Sequence, residues 1–116
     1  MRAGLDKDEP RDRQAILRLA LKACDIGHAT RKWDLHFKWS SLITEEFYRQ
    51  GDRERQMGVD ASPLMDRTTG NLPKSQLGFF QFLATPLYKA YADVFPVMGK
   101  VMMDNIDDNV RRWTEM

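Results

Sequence analysis

Apolar residues recur at helical spacing along most of the chain. From Arg13 onward, Ile16, Leu19, Ala20 and Ala23 make one apolar face, and Leu17, Leu21 and Cys24 widen it. Only Arg18 and Lys22 interrupt the run. A helix this apolar calls for burial on nearly all sides, which places it inside something larger. Gly27 ends it, and residues 29–32 read as a short turn. A longer helix is predicted from about Trp33 to Met57, with Leu35, Trp39, Leu42, Ile43 and Phe47 as a single apolar stripe. Its last section holds Arg49, Asp52, Arg53, Glu54 and Arg55 and reads as a solvated face laced by helix-spaced ion pairs. Gly51 lowers helix stability there, and Gly58 supplies the stop.

The stretch 58–73, GVDASPLMDRTTGNLP, is rich in turn formers and reads as loop, with Leu64 and Met65 folding back over a surface or pocket. Asn71 is a candidate cap for the next helix, with Pro73 in its first turn. That helix should kink or break at Pro86, resume through Leu87, Tyr88 and Tyr91, and restart at Pro96. Val97, Met98, Val101, Met102, Ile106, Val110 and Trp113 form the last apolar stripe. Residues 1–12 are polar, broken by Gly4 and Pro10, and read as a lead-in loop with Asp12 as the cap of the first helix. Strand-period alternation and internal repeats are missing from the sequence, so the expected fold is all-α, a compact helical bundle.

Composition narrows the function. A chain of 116 residues that is 42% hydrophobic and 30% charged should fold. A formal charge of +1 gives no bulk electrostatic case for nucleic acid or a membrane surface. The charged N-terminal segment is unlike a signal peptide, and the single cysteine, Cys24, fits a reducing, cytoplasmic or cytosol-facing setting. Asp104, Asp107 and Asp108 precede an asparagine and two arginines on a polar face, so solvated charge is the better reading than a cation site. The seven methionines fit adaptable packing. With only two histidines, His28 and His36, metal chemistry has few candidate ligands.

Two features carry chemistry. In KSQLGFFQF, Gln76 stands one helical turn before Phe79, so both can face one cavity. A primary amide can pair with the edge of a planar heterocycle, while a phenyl ring lies against its face. Gly78 between them lets a ligand approach. On spacing alone such a stripe is more often core. Asp25 ends the apolar first helix, where a buried carboxylate must be hydrogen-bonded, paired or metal-bound; a turn-capping role near Gly27 is the simpler alternative.

The segments ALKACDIGHATRKW, WSSLITEEFYRQGDRERQMG, SPLMDR and SQLGFFQFLATPLY, in that order, resemble the class I cyclic nucleotide phosphodiesterases. The likeness runs from about Leu19 to Trp113 and corresponds to the C-terminal part of that family's all-helical catalytic domain, with residues 1–116 as one piece of it. The resemblance implies that Asp25 binds zinc, Gln76 hydrogen-bonds the purine, and Phe79 sandwiches it with Ile43. It places His28 beside the nucleotide pocket and Trp39, Ser40, Phe47 and Leu64 along it. It further implies a cyclic nucleotide substrate, cAMP or cGMP, hydrolysed to the 5′-monophosphate by zinc with magnesium or manganese. The family's remaining zinc ligands, two histidines and an aspartate, and its general-acid histidine come from earlier helices. Residues 1–24 hold no histidine, so this segment alone is expected not to catalyse and to need the rest of the catalytic domain as its partner. A degenerate homologue that binds cyclic nucleotide without hydrolysis and a helical interaction module are the alternatives.

Overall fold

The computed structural model describes residues 4–116. Helix α1 spans Pro10–Asp25 and is followed by a short 3-10 turn, Gly27–Thr30. Helix α2 spans Trp33–Gln56, α3 Leu72–Phe79, α4 Thr85–Val94 and α5 Pro96–Thr114, so the described residues are all-α as expected. Leu5 to Glu9 of the lead-in is irregular and turn, with Gly4 in a 3-10 conformation; residues 1–3 lie outside the described residues. Helix α1 starts earlier than the sequence pattern suggested. Pro10 occupies its first turn, where a missing N–H costs nothing, and Asp12 accepts from the Asp6 N–H rather than capping the helix.

Two sequence expectations hold at the level of single bonds. The Asn71 side chain accepts from the Lys74 N–H at 3.1 Å and caps α3. Gly58 adopts φ +82 just past the end of α2. Pro86 is accommodated differently from a simple break. Residues Phe80–Ala84 form one π-helical turn between α3 and α4, with the Thr85 N–H reaching the Phe80 carbonyl. Widening the helix at this point leaves room for a residue that cannot donate.

The core is narrow. Phe80, Ala84 and Tyr88 meet Ile106 and Trp113 of α5, with Ala23 and Ala29 at the edge. Gly99 packs so closely on Ala92 that a Cβ there would overlap its Cα, which brings α4 and α5 together. The Tyr88 hydroxyl donates to the Ala23 carbonyl and ties α1 to α4.

Much apolar surface stays open. On α1 only Ala23 is buried, while Leu17 and Leu21 are 68% and 72% exposed. On α2 the expected stripe is also largely exposed, with Trp39 at 54%; the buried positions are His36, Ser40 and Gly51. The helix therefore turns its polar edge, not its apolar stripe, toward this chain's interior. The molecule is a slab of 52 × 32 × 18 Å with a radius of gyration of 16.7 Å, where a compact domain of this length has about 13 Å. Among the described residues, no helix is long and apolar enough to cross a membrane.

The charged end of α2 does more than face solvent. Arg49 pairs with Glu45 one turn away, as expected. Asp52, Glu54 and Arg55 instead reach the 58–71 loop. Arg67 makes a two-bond contact with Glu45 at 2.8 and 2.9 Å and pairs with Asp52 at 3.1 Å. Glu54 accepts from the Ser62 hydroxyl at 2.6 Å, and Arg55 pairs with Asp66. Exposed pairs are individually weak, and here their number and the fit of Gly51 against the Met65 carbonyl hold the loop down. On α5, Asp104 pairs with Lys100, and Asp108 with Arg111 and Arg112, which accounts for those acids as solvated ion pairs.

Candidate functional site

The turn that carries Asp25 and His28 is fixed by polar side chains from α5. Asn105 Nδ2 donates to the Thr30 carbonyl at 2.9 Å. Asn109 Nδ2 donates to the carbonyls of Ala29 and Arg31 at 3.1 and 2.8 Å. Thr30 closes the turn on itself by donating to the Gly27 carbonyl. A short 3-10 turn with few bonds of its own is thereby held in one conformation.

Asp25 is exposed at the end of α1 and has no hydrogen-bond or ion-pair partner among the described residues. The expected burial of this carboxylate is therefore not seen, because α1 has no neighbour on that side; nor does Asp25 cap the turn. Its free oxygens point to no internal structural duty. The described residues contain no group of three or more His, Cys, Asp or Glu arranged to hold a metal. A zinc site draws on three or four protein ligands, so the residues present do not make one by themselves.

Next to the turn lies a buried polar cluster. His36 is fully buried, and its Nε2 accepts from the Trp113 indole N–H at 2.8 Å. A neutral imidazole whose Nε2 accepts carries its proton on Nδ1, and this nitrogen lies 3.2 Å from the His28 carbonyl, to which it donates. Burial and the neighbouring His28 lower the His36 pKa to about 4. Burial lowers that of His28 as well. The two rings stack at 5.3 Å and 4°. Ser40, one turn along α2, is fully buried and donates to Gln76 Oε1 at 3.2 Å.

This cluster sets a pH dependence. His36 stays neutral in the fold down to about pH 4, while an unfolded histidine takes up its proton near 6.5. Stability contributed by the neutral ring is complete above pH 6.5 and is lost as pH falls from 6.5 toward 4, by about 3 kcal/mol in all. Denaturant unfolding of the full-length protein across this window should show the loss, and His36→Gln should flatten it. An equally steep slope in that variant would show that other groups carry it.

Gln76 is nearly buried on α3, held through its amide oxygen by Ser40. Its Nε2 makes no hydrogen bond among the described residues and is not fully enclosed, so two donors remain available at the surface. Phe79, one turn on, is half-buried and stacks on the His28 ring at 5.6 Å and 10°. Spacing paired Gln76 with Phe79, and the family resemblance added His28 and Ser40; the fold places Ser40 on Gln76 and His28 on Phe79. Leu64 is 74% exposed, in the left-handed region at φ 68, and lines a cavity of about 610 Å³ with Tyr48, Gly78, Phe79 and Phe82. Gln76 and Ile43 do not line that cavity. Ile43 is half-buried on α2, whereas Trp39 and Phe47 are exposed.

Sequence spacing did not single out His36, Asn105, Asn109 or Trp113. Asn105 and Asn109 stand four residues apart on α5, one turn before Trp113, and two amides on the edge of an apolar helix are the signal that could have found this face.

Comparison with known proteins decides what this arrangement belongs to. The family model described as 3'5'-cyclic nucleotide phosphodiesterase matches residues 2–106. The chain belongs to that family. Bovine (Bos taurus) dual specificity calcium/calmodulin-dependent 3',5'-cyclic nucleotide phosphodiesterase 1B is 40% identical over 94 residues, 81% of this chain and 18% of the relative. Mouse (Mus musculus) 3',5'-cyclic-AMP phosphodiesterase 4C is 35% identical over 106 residues, 91% of this chain and 15% of the relative. The solved structure of LmjPDEB1 in complex with IBMX superposes with a TM-score of 0.87 at 31% identity, over 97% of this chain and 34% of that one. The phosphodiesterase chain described here therefore spans under a fifth of the length of these curated relatives. The exposed apolar faces of α1 and α2 agree with that small share.

Proposed function

We propose that these residues form the base-binding wall, and supply one metal ligand, of a phosphodiesterase catalytic domain that hydrolyses 3',5'-cyclic nucleotides to nucleoside 5'-monophosphates. The observation that carries the reading is Gln76: a nearly buried amide, anchored through its oxygen, with its donors free, one helical turn before Phe79. Such a group suits the acceptor edge of a purine, and Phe79 suits its face. Ile43 is the aliphatic partner across the base, with His28, Trp39, Ser40, Phe47 and Leu64 around it.

Asp25 fits a metal ligand by its chemistry, an exposed carboxylate with no other partner at the C-terminal end of a helix, where partial negative charge favours a cation. We assign it to a site for zinc with magnesium or manganese, whose other ligands lie outside these 116 residues. Those metals supply the activated water and charge stabilisation when bound. The contribution of this chain is to hold the base and orient the cyclic phosphate relative to them.

The test is hydrolysis of cAMP and cGMP by the full-length polypeptide, with and without a chelator, beside residues 1–116 alone. Chelator-sensitive turnover in the longer protein and none in the short one is the expected result. Turnover by the short chain would place the metal site elsewhere, and nucleotide binding without turnover in both would make the protein a sensor.

A further inference from the structure

We propose that Tyr88 on α4 is a positioning residue for Asp25, acting by holding the last turn of α1 through the Ala23 carbonyl. This role rests on Asp25 being a metal ligand.

The last carbonyls of a helix have no donor within it. At the end of α1 the Ile26 N–H turns back to the Lys22 and Cys24 carbonyls. The Ala23 carbonyl between them is left without a backbone donor among the described residues. Tyr88 supplies the missing one: its hydroxyl donates to this oxygen across 65 positions of chain. The ring is fully buried, with Tyr91 edge-on to it at 6.3 Å. Burial pushes the phenol up to about 12, so it stays a donor at neutral pH.

Little else in this segment holds that end of α1. Ala23 is the one residue of the helix that is buried, and Leu17 and Leu21 before it are exposed. Asp25 stands two residues beyond the tie. Its carboxylate has no hydrogen-bond or ion-pair partner among the described residues, so no side-chain contact keeps it in place. Its position is set by the backbone, and side chains hold that backbone on both sides. Asn105 and Asn109 hold the carbonyls of residues 29–31, four or more residues past Asp25. Tyr88 acts within the same helical turn as the carboxylate. Loss of the phenolic donor leaves a buried carbonyl unpaired and lets the last turn of α1 fray. The carboxylate must then be ordered when a metal binds.

Tyr88→Phe keeps the ring and removes the donor. The full-length enzyme, stripped of metal and titrated with zinc against a fluorescent zinc indicator, should bind it about three- to tenfold more weakly in this variant, as for one lost orienting hydrogen bond. KM for the hydrolysed nucleotide at saturating metal should stay at the parent value. In an Asp25→Ala background, adding Tyr88→Phe should change zinc affinity by about twofold at most, because both act on one ligand. Independently of any variant, a crystal structure of the metal-loaded full-length enzyme should keep the Tyr88 hydroxyl at hydrogen-bond distance, about 3 Å, from the Ala23 carbonyl. A phenol bonded elsewhere, parent-like zinc affinity in folded Tyr88→Phe, or an equal loss with and without Asp25 would overturn the proposal. Asp25→Ala distinguishes the two levels. If it weakens zinc binding while Tyr88→Phe does not, the ligand stands and the positioning role fails. If neither does, the assignment of Asp25 itself fails.

Discussion

Asp25→Ala in the full-length enzyme is expected to lower turnover of cyclic nucleotide by on the order of a thousandfold or more, because a metal ligand provides several kcal/mol of transition-state stabilisation. Bound metal, measured by elemental analysis after dialysis, should fall with it. The site makes this a clean experiment. Asp25 is exposed and unpaired among the described residues, so its removal breaks no bond within this segment. Unfolding of the full-length variant, measured beside its turnover, separates lost chemistry from lost stability. A variant that folds as the parent and hydrolyses nothing therefore reports chemistry, not unfolding. Near-parent turnover with near-parent metal content would remove Asp25 from the metal site, whatever the rest of the chain does.

The periodicity of α2 shows why the fold was more legible than its packing. The 3.6-residue pattern fixed the helix to within a residue, since a stripe from Leu35 to Phe47 has no other regular backbone that gathers it on one side. It did not say what the stripe touches. Here it touches solvent, and His36 and Ser40, polar residues on the other edge, are buried instead. A stripe records the need for a neighbour, and the neighbour need not be in the same segment. The same holds for Leu17 and Leu21 on α1.

The π turn was illegible for a different reason. Pro86 announced a missing donor, but whether a helix kinks, breaks or widens depends on what packs there. Phe80 and Ala84, at the two ends of that turn, are both buried against α5, so widening keeps them in the core where a break would not. The site was read in part. Gln76 and Phe79 stood out because their types suit a ligand and their spacing suits a helix, whereas His28 and Ser40 entered only through the family resemblance. Trp113 and Asn109 reach the site across about 80 residues of chain, and no local pattern encodes a pairing of that range.

Gln76→Ala should weaken use of nucleotide by about 10- to 100-fold in kcat/KM, mainly through KM, with metal content unchanged. Two losses combine. The base edge loses the donors that orient it, and the Ser40 hydroxyl loses its acceptor inside a buried cluster. Gln76→Glu separates them. A carboxylate still accepts from Ser40, so the cluster stays satisfied, but it has no donor to offer a purine acceptor. If the free Nε2 donors face the base, Gln76→Glu should bind nucleotide about as poorly as Gln76→Ala while unfolding closer to the parent. Parent-like KM in Gln76→Glu would mean that the amide serves Ser40 and the core, and that Phe79 holds the base without it. The difference between these variants thus measures directly what the exposed side of one nearly buried amide contributes.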